Sequence, residues 1–130
     1  MVPQVLITDD DASFRSVLCD VLSRKGLELH QAADGEEALA VIESQSIHMA
    51  LVDVHMPKVT GLEVISILER RNQPMPCVLM SAMMDETIER EAARMRAYKT
   101  LRKPIRAKQI REVVCQGLAQ VYGWSPEDAA

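Results

Sequence analysis

Four short apolar runs, each followed at once by a residue with chemistry, limit this chain to few folds. Val5-Leu6-Ile7 leads into Thr8-Asp9-Asp10-Asp11, Met49-Ala50-Leu51-Val52 into Asp53, and Cys77-Val78-Leu79-Met80 into Ser81; a fourth, more mixed run precedes Lys103-Pro104. Runs this short and this apolar suit strands covered on both faces. If they lie side by side and parallel, the acids, the serine and the lysine meet along one edge of the sheet.

The stretches between the runs carry helical spacing, so strand and helix alternate five times. After a strand from Val5 to Thr8, Asp11 is placed to cap a helix whose stripe is Phe14, Val17, Leu18, Val21 and Leu22, ending near Lys25-Gly26. Leu27 to Ala32 alternates as a half-exposed strand does. Asp34 then caps a second helix, with Glu37 at the capping-box position and Leu39, Val41 and Ile42 turned inward. The third strand is Met49 to Asp53. Gly61 opens a helix carrying Leu62, Ile65 and Leu68 and closing at Arg70-Arg71, and Pro74 and Pro76 break the chain before a strand from Cys77 to Met80. A weakly patterned helix, about Glu86 to Arg96, shows only Ile88, Ala92 and Met95 as a stripe. A fifth strand, Tyr98 to Leu101, precedes a last helix from about Ala107 to Tyr122, which buries Ile110, Val113, Val114, Leu118 and Val121 and stops at Gly123. The first, third and fourth strands are solidly apolar and the other two alternate, so the second and fifth belong outside. With right-handed crossovers this gives an α/β fold: a doubly wound, five-stranded parallel sheet of order 2-1-3-4-5, flavodoxin-like, with its switch point between strands one and three.

At 130 residues with 48% hydrophobic content, the chain suits one core that buries roughly two thirds of the unfolded surface. Residues 1–123 are expected to form the domain, and 124–130 a tail or the start of a linker. Cys19, Cys77 and Cys115 are odd in number, far apart and without metal-ligand spacing, which suits reduced core residues of a cytoplasmic protein. No 18-residue apolar stretch offers a membrane span, and Met1 runs into the first strand without a basic, then apolar, stretch of the kind expected of a targeting segment. Charge is uneven beneath the net −4: residues 94–111 carry eight bases, Arg94, Arg96, Lys99, Arg102, Lys103, Arg106, Lys108 and Arg111, and no acid. That is either a solvated face or a docking surface for an acidic partner. Direct nucleic-acid binding is disfavoured by the acidic total and by the single aromatic, Tyr98, among those bases.

Three carboxylates within a few ångströms repel one another unless a cation neutralises them, and an oxygen-only set with open positions suits Mg²⁺. Lys103 adds a fixed positive charge able to meet a phosphoryl oxygen, and Ser81 a hydroxyl donor, so the set describes phosphoryl transfer. Asp53, ending the central strand beside the switch point, is the candidate nucleophile. Each part has a blander meaning alone: the acid run as helix caps, Ser81 as a turn residue, Lys103 as a solvated lysine. Their joint placement favours the site. His30, His48 and His55 are too scattered for a metal cluster, and the eight methionines suit core filling.

These same residues carry a family resemblance. Val5-Leu6-Ile7-Thr8-Asp9-Asp10-Asp11, Asp53-Val54-His55-Met56-Pro57 leading to Gly61-Leu62-Glu63-Val64, Leu79-Met80-Ser81-Ala82 and Leu101-Arg102-Lys103-Pro104-Ile105 stand in the order found in the receiver domain of two-component response regulators. The chain resembles that family over about residues 4–121. The resemblance implies that Asp53 accepts a phosphoryl group from a histidine kinase or a histidine phosphotransfer protein. It implies that Asp9, Asp10, Asp53 and the His55 backbone carbonyl hold Mg²⁺, that Ser81 and Lys103 sense the phosphoryl group, and that Lys103-Pro104 is cis. It further implies a signalling switch, catalysing only its own phosphorylation and dephosphorylation, whose output passes to an effector domain or a homodimer through the fourth and fifth strands and their helices. It also implies that His55 and Met83, two residues after the acceptor and two after the hydroxyl sensor, flank the phosphoryl group and tune its lifetime. Three positions depart from the pattern: Thr100 stands where the family often has an aromatic switch residue, with Tyr98 expected on the same strand face; Thr60 replaces the usual Asp before the glycine; and Arg96 replaces a glycine before the fifth strand.

Other readings share the fold. A flavin-mononucleotide binder needs a hydroxyl- and glycine-rich loop where this chain has three acids, and an aspartyl-nucleophile hydrolase needs a second acid where this chain has His55. A receiver fold used as a phosphorylation-independent docking module is the alternative, opposed by the intact acid, serine and lysine set.

Overall fold

The computed structural model describes residues 1–23, 26–73 and 75–126. Its elements alternate as expected: β1 (Gln4–Thr8), α1 (Ala12–Leu22), β2 (Glu28–Ala32), α2 (Gly35–Ser44), β3 (Met49–Asp53), α3 (Gly61–Arg70), β4 (Cys77–Ser81), α4 (Glu86–Arg94), β5 (Lys99–Arg102) and α5 (Ala107–Tyr122). The strands form one parallel sheet of order β2-β1-β3-β4-β5.

Period-two alternation divides the core between the two faces of the sheet. Leu6, Ala50, Val52, Cys77 and Leu79 face a cluster with Ile42 of α2, Val64, Ile65 and Leu68 of α3 and Ala92 of α4. Val5, Ile7, Met49, Leu51, Val78 and Met80 face Leu18 and Leu22 of α1 and Ile110, Val114 and Leu118 of α5. Because β1, β3 and β4 are covered on both sides, the acids, serine and lysine singled out above come to an accessible rim at the C-terminal ends of the strands and just beyond them.

The caps form largely where the sequence places them. Asp11 accepts from the Ser13 and Phe14 N–H groups, and Asp34 from that of Glu37. The reciprocal capping box is made one helix later, between Thr60 and Glu63, which gives the Thr60 departure a local purpose. Gly123 closes α5 in the left-handed conformation, φ 69°.

Several expectations need correction. α1 stops at Leu22, where Ser23 N–H bonds the Cys19 carbonyl; Gly26 has φ 70°, while Lys25 and Pro74 lie outside the described residues. Val17 is 57% exposed, since it sits about 100° round the helix from Leu18, on the flank of a narrow buried stripe. Val121 is 52% exposed, because the last turn of α5 borders an open cleft shared with Leu68, Met75 and Met95. α4 ends at Arg94, since Arg96 turns left-handed at φ 59°. β2 starts at Glu28 and β5 at Lys99, one residue later than expected. Trp124, expected to open the tail, is 3% exposed and packs into the α1/α5 cluster. Its backbone N–H reaches the Leu118 carbonyl at 3.3 Å, the closing bond that sets an apolar residue back against its own helix. Residues 127–130 lie outside the described residues.

Candidate functional site

The site lies at the C-terminal rim of β1, β3, β4 and β5. Asp9 is one residue past β1 and still in register, its N–H bonded to the Ala32 carbonyl at 3.1 Å. Its buried carboxylate accepts the Asp11 N–H at 2.9 Å and Lys103 Nζ at 2.6 Å. Asp53 ends β3, also buried; one oxygen accepts the His55 N–H at 3.3 Å and the other lies 3.5 Å from Lys103 Nζ. Asp10 is exposed beside them. One oxygen from each of Asp9, Asp10 and Asp53 fits within 4.8 Å of the others, so these three side chains suit a hard cation that prefers oxygen donors.

The electrostatics follow from that crowding. Burial raises the Asp53 pKa above the ordinary aspartate value, and the neighbouring Asp9 charge raises it further; Lys103 and the His55 N–H pull it down, and Asp10 pushes it up again. Lys103 does not offset both effects, and an added cation would act in the same direction as the lysine.

Ser81 ends β4 fully buried, its Oγ accepting the Met83 N–H at 3.0 Å. Lys103 follows β5 directly; its N–H bonds the Ser81 carbonyl at 2.9 Å, and the Lys103-Pro104 peptide is cis, as the resemblance implied. Strand pairing thus brings Asp9, Asp53, Ser81 and Lys103, up to 94 residues apart in sequence, to a single rim. The His55 side chain is exposed and its N–H already engages Asp53. Met83 is 72% exposed in the β4–α4 connection.

The switch positions are arranged differently from expectation. Thr100 pairs with Leu79, two positions short of Ser81. Tyr98 precedes β5, so strand alternation does not extend to it. It packs on the α1/α5 side with Leu101, near Gly117, at the end of the sheet away from Asp53. Tyr98 therefore does not share a face with Thr100.

Three neighbours of the site escaped sequence reasoning. The Phe14 ring lies under Lys103, with its centroid 4.3 Å from Nζ. The Arg15 guanidinium donates to the Asp9 carbonyl and, at 3.2 Å, to Gln31 Oε1. Arg102 donates to the Met84 carbonyl. In the sequence Phe14 reads only as a residue of the α1 stripe, and nothing singles out Arg15. The usable signal was position: α1 begins at the rim, and helix side chains lean toward the N-terminal turn, so residues of its first turn overhang the site.

Known proteins agree with this geometry. Residues 5–115 match the family described as the response regulator receiver domain. The probable transcriptional regulator ycf27 of Porphyridium aerugineum is 31% identical over 107 residues, 82% of this chain and 44% of its own length. This chain thus spans less than half of that relative. Sporulation initiation phosphotransferase F of Bacillus subtilis is 25% identical over 114 residues, 88% of this chain and 92% of that protein. The chemotaxis protein CheY4 of Vibrio cholerae superposes with a TM-score of 0.85 at 27% identity, covering 91% of this chain and all of that one. With the fold, the strand order and the rim of acids, serine and lysine in place, the chain belongs to the family of response regulator receiver domains.

Proposed function

We propose that Asp53 is the phosphoacceptor of this receiver domain, taking its phosphoryl group from a histidine kinase or a histidine phosphotransfer protein. One observation carries the reading: Asp53 is a buried carboxylate at an accessible rim, with Asp9 and Asp10 beside it and Lys103 Nζ held between the Asp9 and Asp53 carboxylates. Asp9, Asp10 and Asp53, with the His55 backbone carbonyl, would hold Mg²⁺, which when bound neutralises the carboxylates and the incoming phosphoryl oxygens.

An Asp53 carboxylate oxygen attacks phosphorus as the bond from phosphorus to the donor imidazole nitrogen breaks. The electron pair leaves with that nitrogen, which takes up a proton, and an acyl phosphate remains. Lys103 turns an N–H from Asp9 toward a phosphoryl oxygen, and Ser81 rotates its hydroxyl to do the same, releasing the Met83 N–H. That release acts on the β4–α4 connection and so on the neighbouring basic face. Arg94, Arg96, Lys99, Arg102, Arg106 and Lys108 are exposed there, and we assign this face to output, through an effector or a second copy. Such a switch works in the cytoplasm; among the described residues no helix is long and apolar enough to cross a membrane.

The test is intact-mass analysis after incubation with Mg²⁺ and acetyl phosphate, whose P–O bond breaks with acetate as leaving group. One added phosphate is expected on the wild type and none on Asp53→Asn. Equal labelling of the variant would place the acceptor elsewhere.

A further inference from the structure

We infer that Phe14 is a positioning residue for Lys103, its ring face supporting the ammonium while that group changes partners; the inference rests on the phosphoacceptor reading above. Phe14 is the chain's single phenylalanine and stands in the first turn of α1. That turn is anchored, since Asp11 accepts from both Ser13 N–H (3.0 Å) and Phe14 N–H (3.2 Å). The ring reaches the rim from a fixed backbone.

Lys103 enters from the opposite side of the rim, its ammonium 2.6 Å from Asp9, 3.5 Å from Asp53 and 4.3 Å from the ring centroid. A cation this close to an aromatic face is attracted by the ring quadrupole. The three contacts have different fates on phosphorylation. Asp9 is needed by the metal and Asp53 becomes an acyl phosphate, so both carboxylate contacts must be given up or reshaped. The contact with the ring has no directional N–H bond to break and takes no acceptor away from the phosphoryl group. It therefore persists through the exchange and limits where a side chain with four flexible carbons places its charge. The Lys103 side chain is only 19% exposed, so water does not substitute fully for the ring. Leucine at position 14 would occupy much of the volume and suit the helix as well, but it has no π face.

Because no other phenylalanine exists in the chain, biosynthetic replacement with ring-fluorinated phenylalanines alters position 14 alone, and each added fluorine weakens the ring's attraction for a cation. The rate of Asp53 phosphorylation by acetyl phosphate is measured at saturating Mg²⁺, with the melting temperature of each protein alongside. Phe14→Leu should slow phosphorylation about 3- to 10-fold with little change in melting temperature. Phe14→Tyr should recover most of the rate, and progressive fluorination should lower it stepwise. A Phe14→Leu rate equal to wild type overturns the inference, as does a slow leucine variant whose fluorinated counterparts stay fast, which would make shape the cause. If the wild type itself takes no phosphate at Asp53, the phosphoacceptor reading fails and this inference with it. Wild-type labelling combined with indifference to position 14 defeats the inference alone.

Discussion

α3 and α4 each follow a strand that ends in a site residue, yet they are held very differently. On the acceptor side, Val54 and Met56 are buried in the connection after Asp53, and Gly61 N–H bonds the Val54 carbonyl at 3.0 Å. A Cβ on Gly61 would come within 2.5 Å of the Asp53 carbonyl oxygen, so α3 starts flush against the strand it follows. It then buries Val64, Ile65 and Leu68 behind a complete capping box. On the sensor side, Ala82 and Met83 are exposed, Met84 alone of the connection is buried, and α4 buries only Ala92. Ile88 and Met95 are partly buried, and the exposed face is charged, with Glu91 and Arg94 paired at 3.0 Å. The acceptor is thus mounted on a rigid base, and the group that senses phosphate on a loose one. A switch needs this asymmetry, because the mobile element must be the one with least packing to lose.

The largest expected effects test that asymmetry directly. Leu68→Ala empties a buried site on α3 and should cost about 2–4 kcal/mol of unfolding free energy. Ile88→Ala, the corresponding truncation on α4, should cost about 1 kcal/mol, because that side chain is only partly buried. Urea unfolding of the two variants compares them, and equal losses would remove the distinction between the helices.

A smaller effect is expected in the β4–α4 connection. Met83 is exposed two residues after Ser81, and in the proposed role its side chain shields the acyl phosphate while its thioether, a weak acceptor and no donor, cannot orient an attacking water. Met83→Glu should therefore speed loss of phosphate from Asp53 about 3- to 10-fold, on the order of 1 kcal/mol of barrier, with Mg²⁺ affinity nearly unchanged. Phosphate loss from the two phosphorylated proteins at saturating Mg²⁺ measures it. An equal or slower rate in the variant would show that Met83 is no brake, leaving the looseness of this side without a role in lifetime.

Much of this arrangement was legible in the sequence because its causes are local. Three solid apolar runs and two alternating ones are enough to order the sheet, and once the order is known the residues just past those runs must meet at the rim. The weak packing of α4 was visible in its sparse stripe. What escaped depended on geometry between distant segments. That Phe14 lies beneath Lys103 follows from the lysine reaching back from the edge strand β5 to Asp9, where α1 begins, a pairing of distant segments that helix periodicity alone does not encode. Val17 and Val121 read as inward because a stripe fixes periodicity but not width, and Trp124 read as tail because an aromatic after a helix-ending glycine is indistinguishable from a linker until the chain folds back on the helix.

The smallest expected effect concerns how the two helices end. Both close with the same pair of bonds. Asn72 N–H reaches the Glu69 carbonyl and Gln73 N–H that of Leu68, while Arg96 N–H reaches Ala93 and Ala97 N–H reaches Ala92. This motif needs a left-handed residue, supplied by Asn72 at φ 55° after α3 and by Arg96 at φ 59° after α4. Asparagine tolerates that conformation through its short polar side chain, whereas an arginine Cβ crowds the following carbonyl. Arg96→Gly should therefore stabilise the domain by about 0.5–1 kcal/mol, the relief of strain being partly offset by the greater freedom of glycine in the unfolded chain. Asn72→Gly should change stability little. Arg96→Ala serves as the control, since it removes the same charge but keeps the Cβ and so should bring no gain. Thermal unfolding of the three variants reads the difference. A gain in Arg96→Ala matching that in Arg96→Gly would trace the effect to the crowded bases of the output face and not to the backbone, and the two helix ends would then be equivalent.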